Sequence, residues 1–333
     1  MIPSAGKPCI PETIFMTIYI IRRLIQSVFV LLIITLLVFL TMHILPGDPI
    51  LIFMSSGELK NTSLEEIEVL RHQFGLDRPL LVQYIDWLGG VVHGDFGISI
   101  VQREPVMKEI TRRLPITLLL SSIALFISTI IGIPAGVVCA VRRGKWIDTV
   151  VTIIANAGIT IPVFWLGLML IYLFALNLGW LPVQGYTSPF VDFTKSIRQM
   201  IMPVFCLSIF SISSITRQTR SSMLEVMKQD YIRTSWAKGL KEWQVILRHG
   251  LKNGLIPIVT LLGVSFSFII GGSVLVENVF NIPGVGRLVV NAVFVQDYPV
   301  VQGFVLIIAV IVLLSNLIVD IAYGWLDPRI RYG

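Results

Sequence analysis

Charge is what this sequence has least of. Of its 333 residues, 14% are Asp, Glu, Lys or Arg, against 55% hydrophobic, and the mean hydropathy is +0.82. Soluble domains carry about 25% charged residues, so a water-soluble globular chain is excluded. Cysteine is scarce as well. Cys9, Cys139 and Cys206 are scattered, two of them in apolar runs, which excludes a disulfide framework and a Cys-rich metal spacing. The four histidines, His43, His72, His93 and His249, are dispersed and form no helical metal-binding pair. No phosphate-cradling G-x-x-x-x-G-K-[ST] loop occurs: Gly6-Lys7 and Gly144-Lys145 lack the upstream glycine and the following hydroxyl. Nucleophile elbow, zinc and dinucleotide fingerprints are absent too. The expectation is therefore a chain that is no enzyme, has no catalytic residues, binds no metal or cofactor and hydrolyses no ATP itself.

What is abundant is long charge-free runs, each close to the ~20 residues that cross a bilayer. Six are expected to span: residues 24–45, 114–141, 149–178, 199–216, 253–276 and 300–322. The first follows Arg22-Arg23 and ends at Pro46-Gly47-Asp48-Pro49; it is too long for a signal peptide and shows no cleavage site. Gly132-Ile133-Pro134-Ala135-Gly136 is expected to kink or loosen the second. The third run, charge-free from Thr149 to Val191, is cut by Gly179-Trp180-Leu181-Pro182.

Six spans put both termini on one side. That side holds residues 1–23, Arg142, Arg143 and Lys145, eight basic residues in 217–252, and the tail 323–333. The region 46–113 carries seven basic and ten acidic residues. The positive-inside bias makes both termini cytoplasmic and explains the net charge of +6 without nucleic acid. Region 46–113 is then a small extracytoplasmic cap, with Ser63-Leu64-Glu65-Glu66 expected to open a helix toward Gly75 and Leu80–Val92 expected to form a second.

The span centres carry no ionisable groups of the kind an ion-coupled transporter places at membrane depth. Asn316 and Asp320 share a helix face near the cytoplasmic end, where Asp320 reads as a hydrated or paired carboxylate. Ser121, Ser122, Ser265, Ser267 and Ser273 read as helix–helix hydrogen bonders.

The longest cytoplasmic loop, 217–252, is basic and helix-like. Ser222-x-x-Glu225 resembles a capping box, Asp230 is expected to cap a short helix, Gly239 suits the left-handed position ending it, and Lys241–His249 is expected to lead into the fifth span. Anionic lipid is one partner for such a segment. A shaped protein is the other.

Specific motifs decide for the protein. Tyr231-Ile232-Arg233-Thr234, Ala237-Lys238-Gly239-Leu240 and Leu247-Arg248-His249-Gly250 through Pro257 resemble the coupling loop of binding-protein-dependent ABC permeases, in the dipeptide/oligopeptide/nickel branch, B-type subunit. Leu45–Pro49, Phe74–Leu80, Gly94–Ser99, Gly271-Gly272-Ser273, Pro283–Arg287, Asp297–Val300 and Asp327–Arg331 are similar to that branch as well, so the resemblance covers almost the whole chain. The wider superfamily has Glu where Arg233 stands.

The resemblance implies an all-α polytopic membrane protein with the six-span type I importer fold, its core over 114–324, in the bacterial inner membrane. The partners it implies are a sister permease completing a heterodimer, two cytoplasmic ATP-binding subunits that hold ATP and Mg, and a substrate-binding protein. It places ATPase coupling at Tyr231, Arg233, Thr234, Lys238, Gly239 and Leu240. Hinge or packing positions fall at Gly271, Gly272, Pro283, Gly284 and Gly286, and Glu277 and Asp297 fall at an outer mouth. Peptides are the implied cargo, with nickel complexes or glutathione as alternatives, and an ion-coupled secondary transporter as the competing class.

Overall fold

The computed structural model describes residues 12–47, 50 and 64–326. Ser63, Asp48-Pro49 and the motif 327–331 lie outside the described residues, so the expected capping box at Ser63 does too. All named elements among the described residues are helices.

Helix α1 is Glu12–Ile44, with its apolar part from Ile21. Two short helices follow, α2 (Leu64–Gln73) and α3 (Leu80–Val92). Gly75, at φ +66°, makes the turn between them. Helix α3 lies along the end of α1. The Tyr84 hydroxyl is 3.0 Å from Thr35 Oγ1, and His43 Nε2 is 3.2 Å from Gln83 Oε1. Leu81, Ile85 and Val92 point outward, the pattern of a helix lying at a membrane interface.

Helix α4 (Val106–Val141) starts well before the expected residue 114. Its first turns carry charge because Glu109 accepts two hydrogen bonds from Arg113 one turn on. The third span is two helices, α5 (Trp146–Thr160) and α6 (Val163–Asn177), bent by 105°. Pro162 causes the break: it has no N–H and pushes the preceding residue out of the helical region. Helix α7 (Phe193–Val226) is longer than the expected 199–216. Asp192 caps its start by accepting from Lys195 N at 2.9 Å. Its far end runs through Arg217 and Arg220, so Ser222 and Glu225 lie inside α7 and open no new helix.

Helix α8 (Asp230–Ala237) is followed by Glu242–Gln244, which runs through a wide π-type turn, Val245–Leu251, and Lys252–Gly254 into α9 (Ile256–Val279). Helices α10 (Val285–Phe294) and α11 (Tyr298–Leu326) complete the chain. Five helices are long and apolar enough to span, and the bent α5–α6 pair makes a sixth.

The packing is centred on α4 and α7. A Cβ on Gly136 would lie 2.5 Å from Thr219 Cβ and 2.6 Å from Thr216 O, and one on Gly132 would lie 2.8 Å from Ile215 Cγ2. The segment expected to loosen α4 is thus a small-residue seam that lets two backbones approach, and α4 runs unbroken through Pro134. Gly158 of α5 meets Ser213 from the other side of α7. Cross-helix serine bonds are made by Ser128 to Ser208 O (3.1 Å) and Ser208 to Ala124 O (3.2 Å). Ser267 and Ser273 bond within their own helix, and Ser121 Oγ has no partner among the described residues.

Candidate functional site

The loop end of the bundle is built around α8. Gln229 is its N-cap and its side chain accepts no capping hydrogen bond, so Asp230 is the first helical residue rather than the expected cap. Gly239 at φ +73° ends the helix, its N–H bonded to Trp236 O at 2.9 Å. That is the left-handed position a glycine takes without strain. Ile232 and Ser235 are buried against the chain, whereas Tyr231, Arg233, Thr234, Trp236 and Lys238 are exposed and Leu240 is half-buried. The exposed side of a helix this short has nothing of its own to pack on.

The base of α8 is held by a hydrogen bond and a small buried cluster. Asn253 Nδ2 donates to the Tyr231 hydroxyl at 2.9 Å. Beneath it Met223, Ala140 and Ile246 form a buried cluster joining α7, α4 and the wide turn. Gly254 and Gly250 let that turn close on Met223: added Cβ atoms would sit 2.9 Å from its Sδ and 3.2 Å from its Cε. Arg233 lies 3.5 Å from Asp230, but both are largely exposed, so the pair adds little.

Next to this base, Arg220 of α7 holds Asp148 of α5 through two bonds, Nε to Oδ1 at 2.7 Å and Nη2 to Oδ2 at 2.9 Å. Gly144 N also donates to Asp148. The fork geometry fixes the 142–145 turn to α7. Sequence reasoning counted Arg220 as loop charge and passed over Asp148, 72 residues away. Arg23 and Asp320 pair at 3.1 Å between α1 and α11, as the paired reading of Asp320 anticipated.

Glu277 and Asp297, expected at an open mouth, are turned into the chain at the opposite end, with 0% and 3% exposure. Glu277 accepts from the Thr117 hydroxyl (2.6 Å) and Arg287 N (3.0 Å). Thr117 Oγ1 in turn accepts from Val285 N at 3.0 Å. Gly284 and Gly286 make room for this carboxylate: a Cβ on Gly286 would lie 2.9 Å from Glu277 Oε2, and one on Gly284 would overlap its carboxyl carbon. Asp297 accepts from the Ser99 hydroxyl (2.5 Å), Ile100 N (3.2 Å) and Val101 N (3.3 Å). Burial pushes the Asp297 carboxyl above its ordinary range, and the Ser99 and backbone donors pull it back. Both carboxylates therefore clamp loops rather than line an opening. Asn281 and Gln296, non-glycine residues at φ +54°, make the turns before and after α10. Of the other expected hinge positions, a Cβ on Gly271 would meet nothing within 4 Å, and one on Gly272 would be 3.8 Å from Leu207. Pro283 sits between the Asn281 turn and α10.

Five long apolar helices and a bent pair that makes a sixth span, with the buried carboxylates of the described residues satisfied and a short helix, α8, facing outward from a packed base, are the build of a subunit of a membrane transport system. The chain belongs to the family of binding-protein-dependent transport system inner membrane components, which it matches over residues 132–332, with the N-terminal membrane component of such systems matched over 16–121. It is 44% identical over 320 residues to the oligopeptide transport system permease protein AppB of Bacillus subtilis, covering 95% of this chain and 100% of that one. It is 41% identical over 314 residues to the glutathione transport system permease protein GsiC of Escherichia coli K12, covering 94% and 99%. Among solved structures it is similar to a chain of the inward-facing MetNI methionine ABC transporter. There the TM-score is 0.54 at 21% identity, over 66% of this chain and 97% of that one, a likeness of fold.

Proposed function

We propose that this chain is a permease subunit of an ATP-driven importer of small peptides, forming the membrane pathway with a sister permease. Cargo arrives from an extracytoplasmic binding protein, and two cytoplasmic ATP-binding subunits supply the energy through α8. The observation that carries this reading is α8 itself: anchored by Ile232, Ser235 and the Tyr231–Asn253 bond, it presents its other face outward. A rigid helix on a fixed base transmits force, and transport is coupled when the ATP-bound and ATP-free partners contact it differently. Relatives named for oligopeptide and glutathione transport support a peptide cargo, glutathione being itself a tripeptide. An ion-coupled transporter is disfavoured because the buried carboxylates Glu109, Asp148, Glu277 and Asp297 are all taken up by arginines, hydroxyls or backbone N–H groups.

Gly239→Val or Lys238→Glu is expected to leave the protein inserted and assembled while peptide-dependent ATPase stimulation and uptake fall at least tenfold. The measurement is paired ATPase and transport assays in proteoliposomes holding the whole complex. Normal uptake by both variants would remove the role given to α8.

A further inference from the structure

Helix α5 has little apolar packing of its own. Among the described residues, α4, α7, α9, α10 and α11 supply the buried apolar clusters, and α6 packs against the one built on Met202, Leu207 and Phe280. No residue of α5 belongs to any of them, and Trp146, Ile153 and Ile154 are exposed. Two contacts hold α5 to α7 instead. Near its start, Asp148 takes the Arg220 fork at 2.7 and 2.9 Å, with only 7% of the Asp148 side chain exposed. Further along, Gly158 admits Ser213, whose hydroxyl an added Cβ would overlap. A carboxylate this buried is costly to leave unpaired. A two-point guanidinium bond also fixes orientation, which a point charge does not.

The third span is thereby divided between two bodies. Helix α6 packs with the first half of α7 and the end of α9, where Gly167 lets Val279 and Phe280 approach. Helix α5 is fastened to the second half of α7, which runs on into α8. Between the two pieces, Ile161 (φ −73°, ψ 123°) and Pro162 (φ −62°, ψ 130°) are both extended and form the joint of the 105° bend. An apolar cavity of about 240 Å³ lies beside this joint, lined by Ile161, Val163, Phe210 and Phe268 among others. Close-packed interiors leave few voids of that size, and this one gives the joint room to change its angle. We infer that Arg220 and Asp148 are positioning residues for transport. They make α5 travel with the α8 end of α7 while α6 stays with its apolar cluster, so that displacement of α8 becomes a change of angle at Ile161-Pro162. Hinges of this kind are a few residues that absorb the φ/ψ change between bodies moving as units. The inference rests on the drive through α8 proposed above and adds the route by which it reaches the third span.

The test uses the whole complex in nanodiscs, nucleotide-free and trapped with ATP and vanadate. Paired spin labels replace exposed residues in a Cys9→Ser background. Trp146→Cys with Lys228→Cys spans α5 and the α7–α8 junction, and Trp146→Cys with Trp165→Cys spans α5 and α6. Trapping should hold the first distance within about 2 Å and shift the second by about 5 Å or more. Arg220→Lys, with Asp148→Asn as a second variant, should release the first distance and lower peptide uptake per ATP hydrolysed by about fivefold or more. A merely structural fork predicts a lower melting temperature and fewer assembled complexes, with uptake per ATP unchanged. A first distance that shifts as far as the second in the parent, or uptake per ATP within about twofold of the parent in both variants, would overturn the inference. The α8 reading is separable from it. Normal fork variants beside an uncoupled Gly239→Val remove the fork assignment alone. Two unmoving distances beside normal uptake by Gly239→Val remove α8 as the drive, and this route with it.

Discussion

Asp297 shows what one residue does at the end of the bundle opposite α8. Its carboxylate gathers Ser99 Oγ and two backbone N–H groups from the 99–101 loop and fixes that loop to the start of α11. Burial is the largest influence on its ionisation and raises it above the ordinary value of 3.8. The folded state therefore binds the proton more readily than the unfolded chain. The resulting stabilisation is full below the ordinary carboxylate range and is lost as pH rises through the raised value. Asp297→Asn, neutral throughout, should flatten the decline in melting temperature as pH rises above the ordinary carboxylate range. Ser99→Ala, which removes a donor to the charged form, should move the decline to higher pH. An unchanged pH profile in Asp297→Asn would place the dependence elsewhere. The resemblance placed Glu277 and Asp297 at an outer mouth. Their burial was not legible, because the hydroxyls that hold them are 198 and 160 residues away in the chain.

At the scale of helices, the existence of the spans was legible and their neighbours were not. Hydropathy finds charge-free runs, so it stops α4 at Leu114 and α7 at Thr216, whereas the helices continue through paired or capped charges. Pro162 could have signalled the α5–α6 break, since a proline inside a helical run disrupts it. Pro134 carried the same signal and is accommodated in an unbroken helix. The two glycines flanking it looked loosening only until α7 was placed against them. Gly136→Leu is expected to wedge α4 from α7 and to destabilise the protein by about 3 kcal/mol or more. Gly271→Ala, whose added Cβ meets nothing within 4 Å, is the matched control and should melt like the parent. Detergent-solubilised protein followed by thermal unfolding separates the two. Equal melting temperatures would mean that the α4–α7 seam is not the structural core.

For the molecule as a whole, the outer surface carries less information than the ends. Ile25 and Phe29 of α1, Trp165 of α6, Phe205 and Phe210 of α7 and Phe268 of α9 are all exposed in the single chain. Lipid and a sister subunit are equally apolar, so composition cannot divide these residues between them. Charge, by contrast, separates the two ends cleanly. The α8 end carries the eight basic residues of 217–252 and the Arg142–Lys145 turn, while 46–113 is net acidic. The proposed orientation, with α8 in the cytoplasm where ATP is found, follows from the positive-inside rule and is open to a direct test. Single cysteines report this directly in a Cys9→Ser background, because Cys139 and Cys206 are buried and silent to an aqueous reagent. Phe190, 98% exposed in the loop before α7, and Lys228, exposed just before α8, stand at opposite ends of that helix. With a membrane-impermeant maleimide, Phe190→Cys should label in intact spheroplasts and Lys228→Cys only after the membrane is opened. The reverse pattern would put α8 outside, out of reach of any cytoplasmic ATPase, and would end the proposed mechanism whatever the family of the chain.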